Sequence, residues 1–363
     1  MTVFKAGGGL NSERYQDVIV RRSEMDRILS HVEDEDLYIA LKSPRQTGKT
    51  TLLYQVQQQL TSQRYGVAYL DLSDFSGLSE DEFYQTLCGD LLNKLKLLLD
   101  NNVEQLPDFQ SNINQAGFSN YLKSLSKYTP HIRKLVLILD EVGRVPDESS
   151  KTFFPKLRKF YHDGQSDSSD SDLYRKIIFI FAGALDLSKL MQGYNSPLKN
   201  ICVPFSLKDF SGEQVYRLSA NLKNLSSEMI KEISDSVYAW CAGHPYLTQS
   251  LLKLIEESQE YSSAKVEQIS KIADNLVENN FVYGENANIE HVLNYLRINK
   301  GGCQDSVFKI LNNQRPKAIA EQQELLLVGL IKRLEDNSLV IRNKIYEKVL
   351  QDFFDQQQHQ GED

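Results

Sequence analysis

The stretch Ser43-Pro44-Arg45-Gln46-Thr47-Gly48-Lys49-Thr50-Thr51 carries the most specific chemistry in the chain. A small residue, four intervening residues and then Gly-Lys-Thr is close to the spacing of a P-loop. An apolar run, Leu37 to Leu41, precedes it, and a stretch with helical character, Leu52 to Leu60, follows. In a strand–loop–helix context of this kind, the backbone N–H groups of Arg45 to Lys49 converge on a concavity of phosphate size. The dipole of a helix beginning near Lys49 favours a polyphosphate there. Lys49 would reach the β- and γ-phosphates of a nucleotide, and the Thr50 hydroxyl would ligate Mg²⁺. One departure is plain: the usual pattern opens with glycine, and Ser43 stands in that place, small enough for the turn.

A loop of this kind binds nucleotide; hydrolysis needs a second, acidic site. Lys134 introduces Leu135-Val136-Leu137-Ile138-Leu139, an apolar run that ends abruptly in Asp140-Glu141. A strand apolar on both faces belongs in the middle of a covered parallel sheet. Ligands collect at the carboxyl ends of such strands, so the acidic pair can lie beside Thr50. Asp140 is expected to hold Mg²⁺ through water, and Glu141 to orient and polarise the attacking water.

Composition narrows the remaining classes. The chain has 363 residues, 41% of them hydrophobic and 25% charged, and a formal net charge of −8. That charge gives no bulk attraction to nucleic acid or to an anionic membrane. The four cysteines, Cys88, Cys202, Cys241 and Cys303, are far apart and fit neither a disulfide framework nor a zinc site. The six histidines are dispersed, without metal-ligand spacing. No signal peptide opens the chain and no apolar run reaches membrane-spanning length, so a cytoplasmic location is expected.

The elements that must position these residues can be read in order. Ser23 is the expected N-cap of a helix over Glu24 to Val32, after a short extended segment, Val18 to Val20. Tyr65 to Leu72 reads as a second strand, Glu80 to Leu99 as a helix, Asn101 to Asn114 as a polar loop and Phe118 to Leu125 as a short helix. Lys151 to Tyr161 is expected to be helical and Gln165 to Asp172 a solvated loop. Lys176 to Ala182 and Val203 to Leu207 supply two further strands. Alternating strands and helices imply an α/β fold with a parallel sheet. From Gly212 the pattern turns helical, over Glu213 to Leu222, Ser227 to Tyr238 and Pro245 to Glu256. Glu290 to Leu296, Ser306 to Leu311 and Ala318 to Leu327 follow, then two extended pieces, Leu330 to Leu334 and Ser338 to Arg342. Three helices and a hairpin are the parts of a winged helix. A closing helix, Lys344 to Phe354, leads to a Gln-rich tail expected to fray. The expected organisation is 1–36 as an N-terminal segment and helix, 37–210 as the nucleotide-binding core, 211–285 as a helical domain, 286–355 as a winged helix and 356–363 as a disordered tail.

Several stretches, taken together, resemble a known family. Val20-Arg21-Arg22-Ser23-Glu24-Met25-Asp26, Pro44 to Thr50 and Leu139-Asp140-Glu141 resemble the AAA-like P-loop ATPases. Within these the chain is similar to the STAND-type branch and the bacterial "AAA-like domain" family. Asn195-Ser196-Pro197, Leu207-Lys208-Asp209-Phe210, Gly243-His244-Pro245-Tyr246-Leu247 and Gly329-Leu330 extend the likeness over most of the chain. The resemblance implies ATP and ADP as ligands, with Mg²⁺. It places Arg21 and Arg22 near the adenine and Pro245 against the base or ribose. The alternative for Gly243-His244-Pro245 is a helix stop and restart, since glycine ends helices and proline begins them. Arg144 is either a charge-stabilising arginine, acting in cis or on a neighbouring subunit, or a surface residue. The segment Phe181-Ala182-Gly183-Ala184 lacks the polar residue that often senses γ-phosphate in this superfamily, which implies slow turnover. Larger relatives would carry a fused effector or repeat sensor, and this sequence stops after the winged-helix segment.

Two functions are compatible with this pattern. The first is a nucleotide-dependent switch that regulates a partner protein in trans, with nucleotide-dependent self-assembly as one route. The alternative is an ATPase associated with DNA, like the origin-recognition or transposition ATPases. In that case Lys332, Arg333, Arg342, Lys344 and Lys348, with Arg315 and Lys317, would form a basic wing. Glu321, Glu324, Glu335, Asp336 and Glu347 roughly balance those bases, which favours a wing that contacts protein. A scaffold that binds nucleotide without turnover is disfavoured by the intact set Lys49, Thr50, Asp140 and Glu141.

Overall fold

The structure is a computed structural model that describes residues 4, 5, 8–10, 21–34, 37–99, 115–191, 196–258, 260–299, 301–316 and 319–360. The extended segment expected at 18–20, the polar loop expected at 101–114, Asn195, Lys317 and the last three residues lie outside the described residues. The chain divides into two compact units. One comprises Val20–Lys42 and Lys49–Leu207; the other comprises Ser43–Gly48 and Lys208–Asp363, and Phe4 joins its core.

The first unit is α/β. Its elements are α1 (Arg22–Asp34), β1 (Tyr38–Lys42), α2 (Lys49–Ser62), β2 (Gly66–Asp71), α3 (Glu80–Leu99), α4 (Gln115–Lys127), β3 (Leu135–Asp140), α5 (Asp147–Gly164), α6 (Ser171–Arg175), β4 (Ile177–Gly183), α7 (Leu185–Met191) and β5 (Cys202–Phe205). The five described strands pair in parallel in the order β2-β3-β4-β1-β5. The period-2 alternation of a strand divides each apolar run between the two faces of the sheet. Leu135, Leu137 and Leu139 of β3, with Phe179 and Phe181 of β4, pack among α3, α4 and α5. Val136 and Ile138, with Ile178, Ile180 and Ala182, face α1 and α2. Both faces are therefore covered, as the continuous apolar runs require.

Three details differ from the sequence reading. Helix α1 starts one residue before Ser23, because the carbonyl of Arg21 accepts the first helical bond, from the N–H of Met25 at 2.8 Å. Ser23 instead donates its hydroxyl to the Glu24 carboxylate at 2.7 Å. The Ser/Asp-rich stretch holds exposed turns, and its last residues begin the one-turn helix α6.

The second unit is mostly helical. It contains α8 (Gly212–Ser219), α9 (Ser227–Cys241), α10 (Pro245–Ser258), α11 (Ile269–Val277), α12 (Ala287–Ile298), α13 (Gly302–Leu311), α14 (Ile319–Val328), the antiparallel pair β6 (Ile331–Arg333) and β7 (Leu339–Ile341), and α15 (Lys344–Gln360). Several of its helix starts are capped by side chains: Ser211 and Gln214 form a reciprocal capping box on α8, Ser226 caps α9 and Asn286 caps α12. One continuous hydrophobic cluster runs from Phe210 to Phe354. Helix α11, which continues as a wider turn over Glu278–Val282, has no counterpart in the sequence reading. Helix α15 runs to Gln360, so residues 356–360 are helical and the fraying tail expected there is corrected.

The connection between α9 and α10 depends on one backbone approach. Ala242 and Gly243 both take positive φ, 47° and 76°, and the Gly243 carbonyl accepts the N–H of Phe210 at 2.8 Å. A Cβ on Gly243 would lie 2.0 Å from the Phe210 carbonyl oxygen. Gly243→Ala therefore combines a left-handed conformation with a backbone overlap, and is expected to cost about 2 kcal/mol or more. Urea unfolding of the two proteins measures this, and an unchanged midpoint would show that the approach is not a constraint.

Candidate functional site

Asp140 ends β3, and its carboxylate, though 2% exposed, is fully engaged. Its Oδ2 accepts the Thr50 hydroxyl at 2.8 Å and the Tyr69 hydroxyl at 2.9 Å, while Oδ1 accepts the N–H of Glu141 at 2.9 Å. Thr50 lies in the first turn of α2, which opens at the buried Lys49. The end of β3 and the start of α2 thus bring together residues 90 positions apart. Glu141 sits in the left-handed region, φ 53° and ψ 44°, at a cost of about 1 kcal/mol for a residue with a Cβ. Its N–H is turned back onto Asp140 and its side chain is half-buried.

A hydroxyl and a carboxylate 2.8 Å apart at the head of a P-loop helix are hard oxygen donors. Such a pair suits Mg²⁺, which takes one or two protein oxygens and completes its shell with water and phosphate. Thr50 and Asp140 are therefore the residues that fit the metal of a magnesium–nucleotide complex.

The preceding loop, Ser43–Gly48, groups by its contacts with the second unit. Gln46 and Gly48 take φ 59° and 88°, which turns the loop, and the Thr47 hydroxyl bonds the Pro44 carbonyl at 2.8 Å. Two residues of the loop meet residues from the carboxyl-terminal half, and a third acts on one through its charge. Gln46 accepts a hydrogen bond from Asn288 of α12 through their side-chain amides. Pro44 lies so close to Gly329 that a Cβ there would stand 2.6 Å from the Pro44 Cβ. Arg45 lies near His291, whose pKa is held down first by burial and then by that guanidinium. Asn288 in turn accepts the Tyr346 hydroxyl at 2.8 Å, and Tyr346 meets Nε2 of His244 at 3.4 Å. Beside this chain, Arg342 makes a two-pronged ion pair with Asp209, at 2.5 and 3.1 Å.

The other expected site residues are placed as follows. Arg21 is buried and pairs with Glu24 at 3.5 Å, whereas Arg22 is exposed and pairs with Asp26 at 3.3 Å. Arg144 is exposed on the short turn after Glu141. Ser43 is buried and Thr51 half-buried. Pro245 is buried at the start of α10 in the second unit, after the stop at Gly243. Tyr69, Asn288 and Tyr346 are contributors that motif reading passes over. For Tyr69 the available signal is its place two residues before the end of the strand adjoining β3.

The buried histidine gives this region a pH dependence. His244 Nδ1 accepts the N–H of Leu247 at 3.4 Å, an N-cap that needs the neutral ring. Burial first, and the Arg342 guanidinium second, push its pKa well below the usual 6.5. Below that value the unfolded chain binds a proton that the folded chain refuses, so stability falls as pH falls, by up to about 1.4 kcal/mol per pH unit. His244→Asn keeps a capping residue and removes the titration. Wild type is expected to lose more melting temperature than this variant between about pH 7 and pH 5. Parallel curves would show that His244 does not carry the dependence.

Comparison with known proteins agrees with this architecture. The AAA-like domain family matches residues 9–352. An uncharacterized WD repeat-containing protein of Synechocystis is 24% identical over 272 residues. That match takes in 71% of this chain, and the chain spans only 21% of that relative's length. Among solved structures, the Walker-type ATPase of Pyrococcus abyssi superposes with a TM-score of 0.64 at 16% identity, over 96% of this chain and 99% of that one. The ORC2 protein of Aeropyrum pernix gives 0.48 at 14% identity, over 96% of each. At such identities the likeness to the Pyrococcus protein is one of fold, a parallel five-stranded sheet surrounded by helices. With the family match extending over nearly the whole chain, and the P-loop and the acidic strand end both inside it, the chain belongs to the AAA-like domain family.

Proposed function

We propose that the chain binds ATP with Mg²⁺, hydrolyses it slowly, and uses the bound state as a switch that a partner protein reads. The observation that carries this reading is the 2.8 Å bond between the Thr50 hydroxyl and the Asp140 carboxylate. It joins the head of the P-loop helix to the acidic strand end, as a shared magnesium–nucleotide complex requires. Mg²⁺, held by Thr50 and by Asp140, would neutralise charge on the phosphates. Ser43 to Gly48 would cradle the phosphates with main-chain N–H groups, Thr51 would extend that contact, and Lys49 would bring a positive charge to the β- and γ-phosphates. Glu141, beside Asp140, would orient the attacking water and accept its proton. Arg21, Arg22 and Pro245 would contribute to the nucleoside end, and Arg144 would supply charge at the phosphoryl group, in cis or to a neighbouring copy.

The contacts on the loop support the switch reading. Gln46 and Pro44 meet Asn288 and Gly329, and the Arg45 charge acts on His291, so a ligand that rearranges the loop would act on residues of the carboxyl-terminal half. A ligand shifts such a balance only by its differential affinity for the two arrangements. We read 211–285 as a helical lid and 286–355 as a winged helix, from the order α12, α13, α14, β6, β7, and assign the chain to the STAND-type branch. The Synechocystis relative, whose name records WD repeats, is consistent with an ATPase module that acts on another protein part. A cytoplasmic location accords with the absence, among the described residues, of any helix long and apolar enough to cross a membrane. For the alternative, DNA binding through the wing, the contacts are less favourable. Arg342 is buried against Asp209, Lys348 pairs with Glu278, and Lys344 lies 4.1 Å over the Trp240 ring.

Two substitutions test the reading. Lys49→Ala is expected to abolish ATP binding in calorimetry. Glu141→Gln is expected to bind ATP like wild type while hydrolysis falls about a hundredfold; hydrolysis at the wild-type rate would remove Glu141 as the base. Mass measured with a non-hydrolysable ATP analogue and with ADP is expected to differ if assembly is the output. Equal masses would leave a conformational change within one chain as the switch.

A further inference from the structure

The hydroxyl of Tyr69 serves no packing purpose. Its ring does: it lies 4.9 Å from the ring of Tyr54 on α2, in the core between the sheet and that helix. The oxygen points instead at Asp140 Oδ2, 2.9 Å away, in a setting where Tyr69 is 8% and Asp140 2% exposed. Register explains the reach. Tyr69 pairs with Ile138, two residues before Asp140 on the neighbouring strand, and so stands on the face of the sheet shared with α2. The phenol is therefore a hydrogen-bond donor to that oxygen.

Asp140 thus has a donor that does not belong to the P-loop. The Thr50 hydroxyl would serve two partners, its proton on Oδ2 and a lone pair on the metal. The Tyr69 hydroxyl serves Asp140. A charge-assisted hydrogen bond from a fixed ring restrains the rotation of the carboxylate. Partners of this kind behind a metal-binding carboxylate govern metal affinity without touching the ion.

We infer that Tyr69 is a positioning residue for the Mg²⁺ site, holding the Asp140 carboxylate aimed beside Thr50. It sets how strongly the metal is coupled to the nucleotide, and leaves the metal-free binding of the nucleotide alone. The inference rests on the nucleotide reading given above.

The test compares wild type, Tyr69→Phe and Tyr54→Phe in the full chain. Binding of a fluorescent ADP is measured in EDTA and then across a Mg²⁺ titration, and ATP hydrolysis is followed over the same titration. Tyr69→Phe removes one oxygen and keeps the ring, so the melting temperature reports whether packing is intact. For this variant, affinity in EDTA is expected to match wild type, while the Mg²⁺ concentration at half-effect rises about tenfold. Tyr54→Phe, which alters the facing ring's hydroxyl, is expected to titrate like wild type. Superimposable Mg²⁺ titrations of wild type and Tyr69→Phe overturn the role of Tyr69 and leave the nucleotide reading standing. An equal shift in Tyr54→Phe overturns the assignment to the Tyr69 hydroxyl. Wild type that binds no nucleotide overturns both.

Discussion

A carboxylate buried at the end of a strand has to be compensated. Removing an isolated carboxylate from water costs several kcal/mol, and the cost falls only when hydrogen bonds replace the lost hydration. Asp140 is compensated by three donors: the hydroxyl of Thr50 from α2, the hydroxyl of Tyr69 from β2, and the main-chain N–H of Glu141. That requirement ties one helix and two strands together at a single side chain. The left-handed backbone of Glu141 then turns the chain sharply away from the strand end. The chemistry of the site and the local folding of the strand end are therefore the same set of bonds.

The second unit answers a similar constraint differently. Arg342 and Asp209 are 133 residues apart and form a bidentate ion pair, the arginine being 7% exposed. A pair of this kind is weak evidence for stability, because desolvation offsets much of the attraction. Its geometry, however, specifies where the segment before α15 sits. The same arginine stands against Gly329, which Pro44 also approaches, so side-chain volume at residue 329 is excluded from two sides. The Gly329-Leu330 pair noted in the sequence acquires a steric reason here.

How much could be read beforehand depended on the kind of signal. Leu135 to Leu139 and Ile177 to Ala182 announce themselves as central strands, because burial on both faces leaves no polar alternation. The P-loop, Asp140 and Thr50 were legible because their chemistry demands fixed residue types at fixed spacing, and their meeting follows from parallel topology. Helix α11 was legible too: Ile269, Ile272, Ala273, Leu276 and Val277 fall at i, i+3, i+4, i+7 and i+8, a helical stripe that motif reading passes over. The far end of α15 carries no apolar pattern to announce it. Tyr69 looked like any strand aromatic, and its second role depends on register with β3. Arg342 read as part of a basic surface, yet its burial is decided by Asp209, whose partner no local pattern names.

The grouping of Ser43–Gly48 with the second unit has a consequence for how the protein comes into being. Gln46 and Asn288 are separated by 242 residues. At a synthesis rate of about 5–20 residues per second, the flanking strand and helix leave the ribosome tens of seconds before the partners of the loop exist. A nascent chain thus carries its phosphate loop with the neighbours of Gln46, Pro44 and Arg45 still unmade. Whatever those neighbours impose on the loop is acquired only once the segment carrying Asn288, His291 and Gly329 has been made.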